Sequence, residues 1–88
     1  MQDQHSISVA SEIRRSLPKQ VILSARNLNI QLVGEILENI DGTPHIKTLG
    51  VLHVMGEASN FQMKSKIIEA VKEKGEKRQV VDRLTIKR

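Results

Sequence analysis

Residues 50–60 read GVLHVMGEASN, and this stretch limits the fold more than any other. Two glycines bracket an apolar-rich segment with strand character. Glycine weakens a strand interior by about 0.5–1 kcal/mol relative to alanine, so a glycine there marks a turn, a bulge or a close backbone approach. Gly50 is expected to supply the positive φ of a tight hairpin turn. Gly56 is expected where the strand hands over to a helix, a place where a side chain would crowd the backbone. Ser59 or Asn60 caps that helix over residues 61–74. Its apolar face is Phe61, Ile68 and Val71 with Ile67 beside it, and Gly75 lies just past its end. Residues 78–87, RQVVDRLTIK, then read as a half-buried strand. Val80, Leu84 and Ile86 share one face with Asp82, its polar member.

Upstream, residues 43–57 predict a hairpin. One arm runs through His45, Ile46 and Lys47, the bend falls at Leu49-Gly50, and VLHVMGE is the second arm. Pro44 suits only a strand start or edge. Residues 28–40, LNIQLVGEILENI, predict a helix. Leu28, Leu32, Val33, Ile36, Leu37 and Ile40 fall on one face at a 3.6-residue period, Asn27 or Asn29 can cap it, and Asp41-Gly42 stops it. A strand through IQLVGEI is the competing reading. Residues 7–17 place Ile7, Ala10, Ile13 and Leu17 at helical spacing before Pro18, residues 1–6 read as a frayed tail, and Val21, Ile22 and Leu23 form a short apolar run of open type. The expected fold class is therefore α+β. It is a two-layer sandwich in the order α-β-β-α-β, with a three-stranded mixed sheet covered on one face by two helices. The domain occupies residues 27–88, and residues 1–26 form an N-terminal extension or short helix.

The run GVLHVMGEASN, FQMKSKIIEAV, GEKRQVVDRLTIK resembles the BON domain, a family named for bacterial osmotic-stress and nodulation proteins. Gly50 and Gly56 match its two glycines, and residues 80–86 match its final strand. The match is good over residues 50–87 and rests on element order alone over 28–49. The pattern departs at Pro44, close to a short first arm, and residues 1–26 lie outside it. The resemblance implies a non-catalytic module that associates with phospholipid surfaces or the cell envelope, often within larger bacterial proteins. It carries over no catalytic motif.

Composition narrows the function classes. Phe61 is the only aromatic residue, so the core must be aliphatic, and the absence of cysteine excludes disulfides and thiolate chemistry. No apolar run approaches a membrane span and no signal-peptide core opens the chain. The chain is expected to be soluble: periplasmic or membrane-associated if it is a segment of a longer exported protein, and otherwise cytoplasmic. The net charge of +4 is uneven: residues 64–88 hold nine basic and four acidic residues, the first 63 five and six. The densest cluster is Lys72, Lys74, Lys77 and Arg78. It is the expected site for a lipid headgroup or other anion, and it equally suits the negative end of a helix dipole.

Other chemistries find little support. His45 and His53 could approach across the hairpin with Glu57 nearby, but no metal-ligand spacing is present, and no cofactor or metal is expected. Glu35 and Glu38 lie close together, and paired carboxylates work only in a cleft that separates their pKa values. The serines fit no nucleophile motif, and the glycines form no phosphate loop. KEKGEKR lacks the second glycine of a KH-type loop. Single-stranded nucleic acid usually needs aromatic platforms, which one core phenylalanine does not provide; binding to a nucleic-acid backbone needs only charge and is a less favoured alternative. The partners expected are therefore an anionic phospholipid surface, to which each lysine adds about 1 kcal/mol, or an envelope protein. Residues 7–17 could add an amphipathic anchor, although a short helix docked on the domain, or a linker, is the preferred reading. A protein-interaction module using a sheet face or edge is the alternative.

Overall fold

The computed structural model describes residues 4–86. Helix α1 spans Gln4–Ser16, α2 spans Lys19–Ser24, and strand β1 spans Ala25–Val33. Strands β2 (Ile36–Ile40), β3 (Thr43–Thr48) and β4 (Val51–Ala58) follow, then helix α3 (Phe61–Lys74) and strand β5 (Gln79–Ile86). The main sheet has the order β1-β4-β5, with β1 antiparallel and β5 parallel to the central β4. A parallel neighbour requires a crossover, and α3 provides it. The fold is α+β with a three-stranded mixed sheet packed against helices, as expected.

The core is aliphatic. Leu28, Ile30 and Leu32 of β1, Leu52, Val54 and Ala58 of β4, and Leu84 of β5 form its sheet side. Ile67 and Val71 of α3 and Ala10, Ile13 and Leu17 from the first helical segment cover it. The short helix expected in the N-terminal segment is α1, and its buried stripe docks on this core. α1 ends at Ser16, and the buried Leu17 and then Pro18 follow it. The tail expected over 1–6 is corrected, since α1 begins at Gln4 and Ser6 is buried; residues 1–3 lie outside the described residues.

Three further expectations are overturned. Residues 28–40 form strands, not a helix. Only Leu28, Ile30 and Leu32, spaced by two, are buried, whereas Val33, Ile36, Leu37 and Ile40 are exposed. The helical period appeared because these exposed aliphatics were counted as core. The predicted 43–57 hairpin does not form either, because β3 pairs with β2 around Asp41-Gly42 while β4 pairs with β1. Phe61, at the first position of α3, is exposed and lies against the Lys64 ammonium, 5.8 Å from the ring centroid. Helix α3 itself spans the predicted residues, and Asn60 is its cap, with its side chain accepting from the Met63 N–H at 2.9 Å.

Gly50 and Gly56 act by close approach. Gly50 does not take positive φ. A Cβ there would lie 2.8 Å from both Leu32 Cδ1 and the Val33 carbonyl, so the expected turn role is replaced by packing. Gly56 lies within β4 opposite a bulge between Arg26 and Asn29, at φ +132. A Cβ there would meet the carbonyl oxygens of Arg26 and Asn27 at 2.9 Å, which is the crowding expected of it.

Candidate functional site

β1 and β4 lie side by side as far as Val33 and Val51, and pairing resumes at Ile36 and Thr48. Between them, Gly34 at φ +80 turns the chain and swings Glu35 inward. Glu35 has a fully buried side chain and Arg78 one that is 4% exposed. Arg78 Nε donates to Glu35 Oε1 at 2.6 Å and Nη2 donates to Oε2 at 3.0 Å, a two-point fork. The Gly50 N–H donates to Oε1 at 3.1 Å, and His5 Nε2 contacts Oε2. An ionised carboxylate only accepts, so His5 holds its proton on Nε2 in this contact. Arg78 Nη1 donates to the Gly75 carbonyl at 3.2 Å. Hydrogen bonds from Arg78, then from Gly50 and His5, overcome the cost of burial and lower the Glu35 pKa from 4.5 to about 2. Glu35 also raises the Arg78 pKa.

This cluster ties α1, the 34–35 break, the 49–50 break and the turn after α3 into one joint. It is committed to structure. A carboxylate with its acceptor positions filled and a pKa near 2 is not a general base near neutrality. Arg78 therefore leaves the expected anion-binding set. Lys72, Lys74 and Lys77 remain exposed there, and Lys77 adopts φ +69 in the turn that brings Arg78 back to Glu35. Glu38 is far from this chemistry, paired across the β2–β3 hairpin with His45. His53 lies in the main sheet between Gln31 and Val81, so the two histidines expected to meet do not. Among the described residues no group of three or more His, Cys, Asp or Glu is placed to hold a metal. No helix among them is long and apolar enough to cross a membrane.

Beyond the joint, β2 and β3 project as a two-stranded arm in which every residue is exposed. The molecule measures 51 × 21 × 19 Å, long for its mass. Ile36, Leu37, Ile40 and Ile46 lie uncovered on the arm, and Val33 and Leu49 flank its base. Directly opposed residues share a face. Leu37 with Ile46 and Asn39 with Pro44 therefore form a charge-free face, while Glu38 with His45 and Ile40 with Thr43 form the other. Lys77 lies near the base of the arm, because Arg78 binds Glu35 and Gln79 pairs with Val51; Lys74 lines the groove against α1, and Glu73 and Glu76 are exposed among the lysines. Phe61 is at the other end of α3, about 21 Å away at 1.5 Å per residue, so the aromatic ring and the lysines do not form one stacking groove.

The arm was missed in the sequence because its aliphatics were assigned to a helix core. The signal available was Asp41-Gly42, a hairpin-type pair flanked by ILENI and TPHIKT. An open groove of about 400 Å³ runs between α1 and the turn after α3, lined by Ser8, Glu12, Ile13 and Lys74 among others. Compared with known proteins, the chain matches no family model, no curated protein and no solved structure.

Proposed function

We propose that this chain is a non-catalytic binding module that engages a protein partner through the β2–β3 arm. One observation carries the reading: a two-stranded arm with four uncovered aliphatic side chains and, among the described residues, no layer packed on either face. An isolated hairpin is at best marginally stable in water, and here aliphatic side chains are exposed on both faces, Leu37 with Ile46 on one and Ile40 on the other, as at a surface made to be covered. The resemblance of residues 50–87 to BON domains supports a module of a larger envelope assembly.

Phospholipid association is the second reading, favoured by the exposed Lys72 and Lys74 in the last turn of α3 and Lys77 in the turn after it. Without Arg78, three lysines contribute about 3 kcal/mol at an anionic bilayer, which is weak attachment. Glu38 and Asp41 near the arm tip also oppose insertion beside anionic headgroups.

A photo-crosslinking residue at Ile40, with one at the exposed Lys66 of α3 as control, tests the proposal in the native host. Protein adducts at position 40 and not at 66 are expected. Equal yields at both positions, or lipid adducts alone at position 40, would refute it.

A further inference from the structure

The β1–β4 ladder ends at Val33 and Val51, and the β2–β3 ladder begins at Ile36 and Thr48. Two connections cross this gap, Gly34-Glu35 on one side and Leu49-Gly50 on the other. Gly34, at φ +80, leaves the extended region and interrupts the ribbon. A side chain joins the two connections: the Gly50 N–H donates to Glu35 Oε1 at 3.1 Å. Glycine at position 50 permits the approach, because a Cβ there would lie 2.9 Å from Glu35 Cβ. The same carboxylate accepts the Arg78 fork at 2.6 and 3.0 Å and meets His5 Nε2 of α1. Arg78 is aimed by Glu76 and Lys77, at φ +52 and +69, a region that non-glycine residues rarely adopt. Every residue of the arm beyond is exposed, so its direction is set at the gap and not by packing along its length.

We infer that Glu35 is a latch: it fixes the direction of the arm relative to the main sheet, and α1, through His5, is one of the elements that hold it closed. The carboxylate reaches the body through α1 and through the turn after α3, so the arm's direction follows the docking of both. A swing of about 20° at the gap would move the tip of an arm about 17 Å long, five residues at about 3.4 Å each, by about 6 Å. The latch is separable from the stability of the ion pair. Apolar replacement of both partners can restore stability, but it leaves nothing to accept from Gly50 and His5.

Pulsed electron–electron double resonance on the whole chain tests this. The chain has no cysteine, so spin labels attach only at introduced ones. N39C with K66C spans arm and body, Q31C with K66C is a control within the body, and all three positions are exposed. In the parental background the 39–66 distance distribution should be as narrow as the 31–66 one. In E35L/R78M the 39–66 distribution should broaden at least twofold while 31–66 stays narrow. In His5→Ala, which keeps the ion pair, 39–66 should broaden by a smaller factor. A parental 39–66 distribution already much broader than the control, or one that stays narrow in either variant, would overturn the inference. If E35L/R78M broadens the control pair as well, its body has loosened, and His5→Ala alone decides.

Discussion

Replacing Glu35 by Gln keeps the shape of the side chain and removes its charge. Arg78, 4% exposed, would then keep a buried guanidinium without a counter-ion. Breaking a buried pair from one side costs about 3–5 kcal/mol. The proton linkage gives a similar size: a pKa lowered from 4.5 to about 2 corresponds to about 3 kcal/mol favouring the folded state. The folded pKa lies below the unfolded one, so this contribution is complete above pH 4.5 and disappears as pH falls toward 2. For a domain of this size the loss should lower the melting temperature by more than 12 °C, at about 4–8 °C per kcal/mol. Urea unfolding of parent and E35Q, followed by circular dichroism at pH 7 and pH 3, measures both effects. At pH 7 the variant should be less stable by about 3 kcal/mol, and the gap should narrow at pH 3. The double change E35L/R78M should recover much of the loss, because apolar replacement of both partners leaves no orphaned charge. A cost below about 1 kcal/mol at pH 7, within the range of an exposed pair, would refute the claim that the joint holds the fold together.

Other substitutions probe other parts of the account. Gly56→Ala should destabilise by about 1–3 kcal/mol in urea unfolding, because φ +132 is strained for alanine and its Cβ meets two carbonyls. Asn60→Ala should cost about 1 kcal/mol through loss of the bond to the Met63 N–H. Phe61→Ser should change stability by less than about 0.5 kcal/mol, since the ring is exposed. A change above 2 kcal/mol there would place the ring in the core after all.

The parts of the fold written in local pattern were legible. Helix α3 has a cap at Asn60, a buried stripe at Ile67 and Val71, and a stop at Gly75, all within one continuous segment. β5 reads as a half-buried strand, and Asp82 fits there because its carboxylate accepts from the Leu84 N–H and lies 3.6 Å from Lys64 Nζ. The segment 28–40 was misread because pattern reasoning assigns every aliphatic residue to a core, and here Val33, Ile36, Leu37 and Ile40 are held for the outside. The Glu35–Arg78 pair joins residues 43 positions apart. No periodicity reports such a contact, and Arg78 read as one more member of a basic run. The only local hint was a lone carboxylate beside Gly34 inside an otherwise apolar stretch.

Hydrogen exchange of the whole chain, alone and with the protein captured by the position-40 crosslinker, tests the central claim most directly. Amides of residues 36–48 should gain protection when that protein is added, while β1, β4 and β5 stay unchanged. Protection that rises elsewhere on the molecule and not over 36–48 would contradict the assignment of the arm as the surface through which this chain binds.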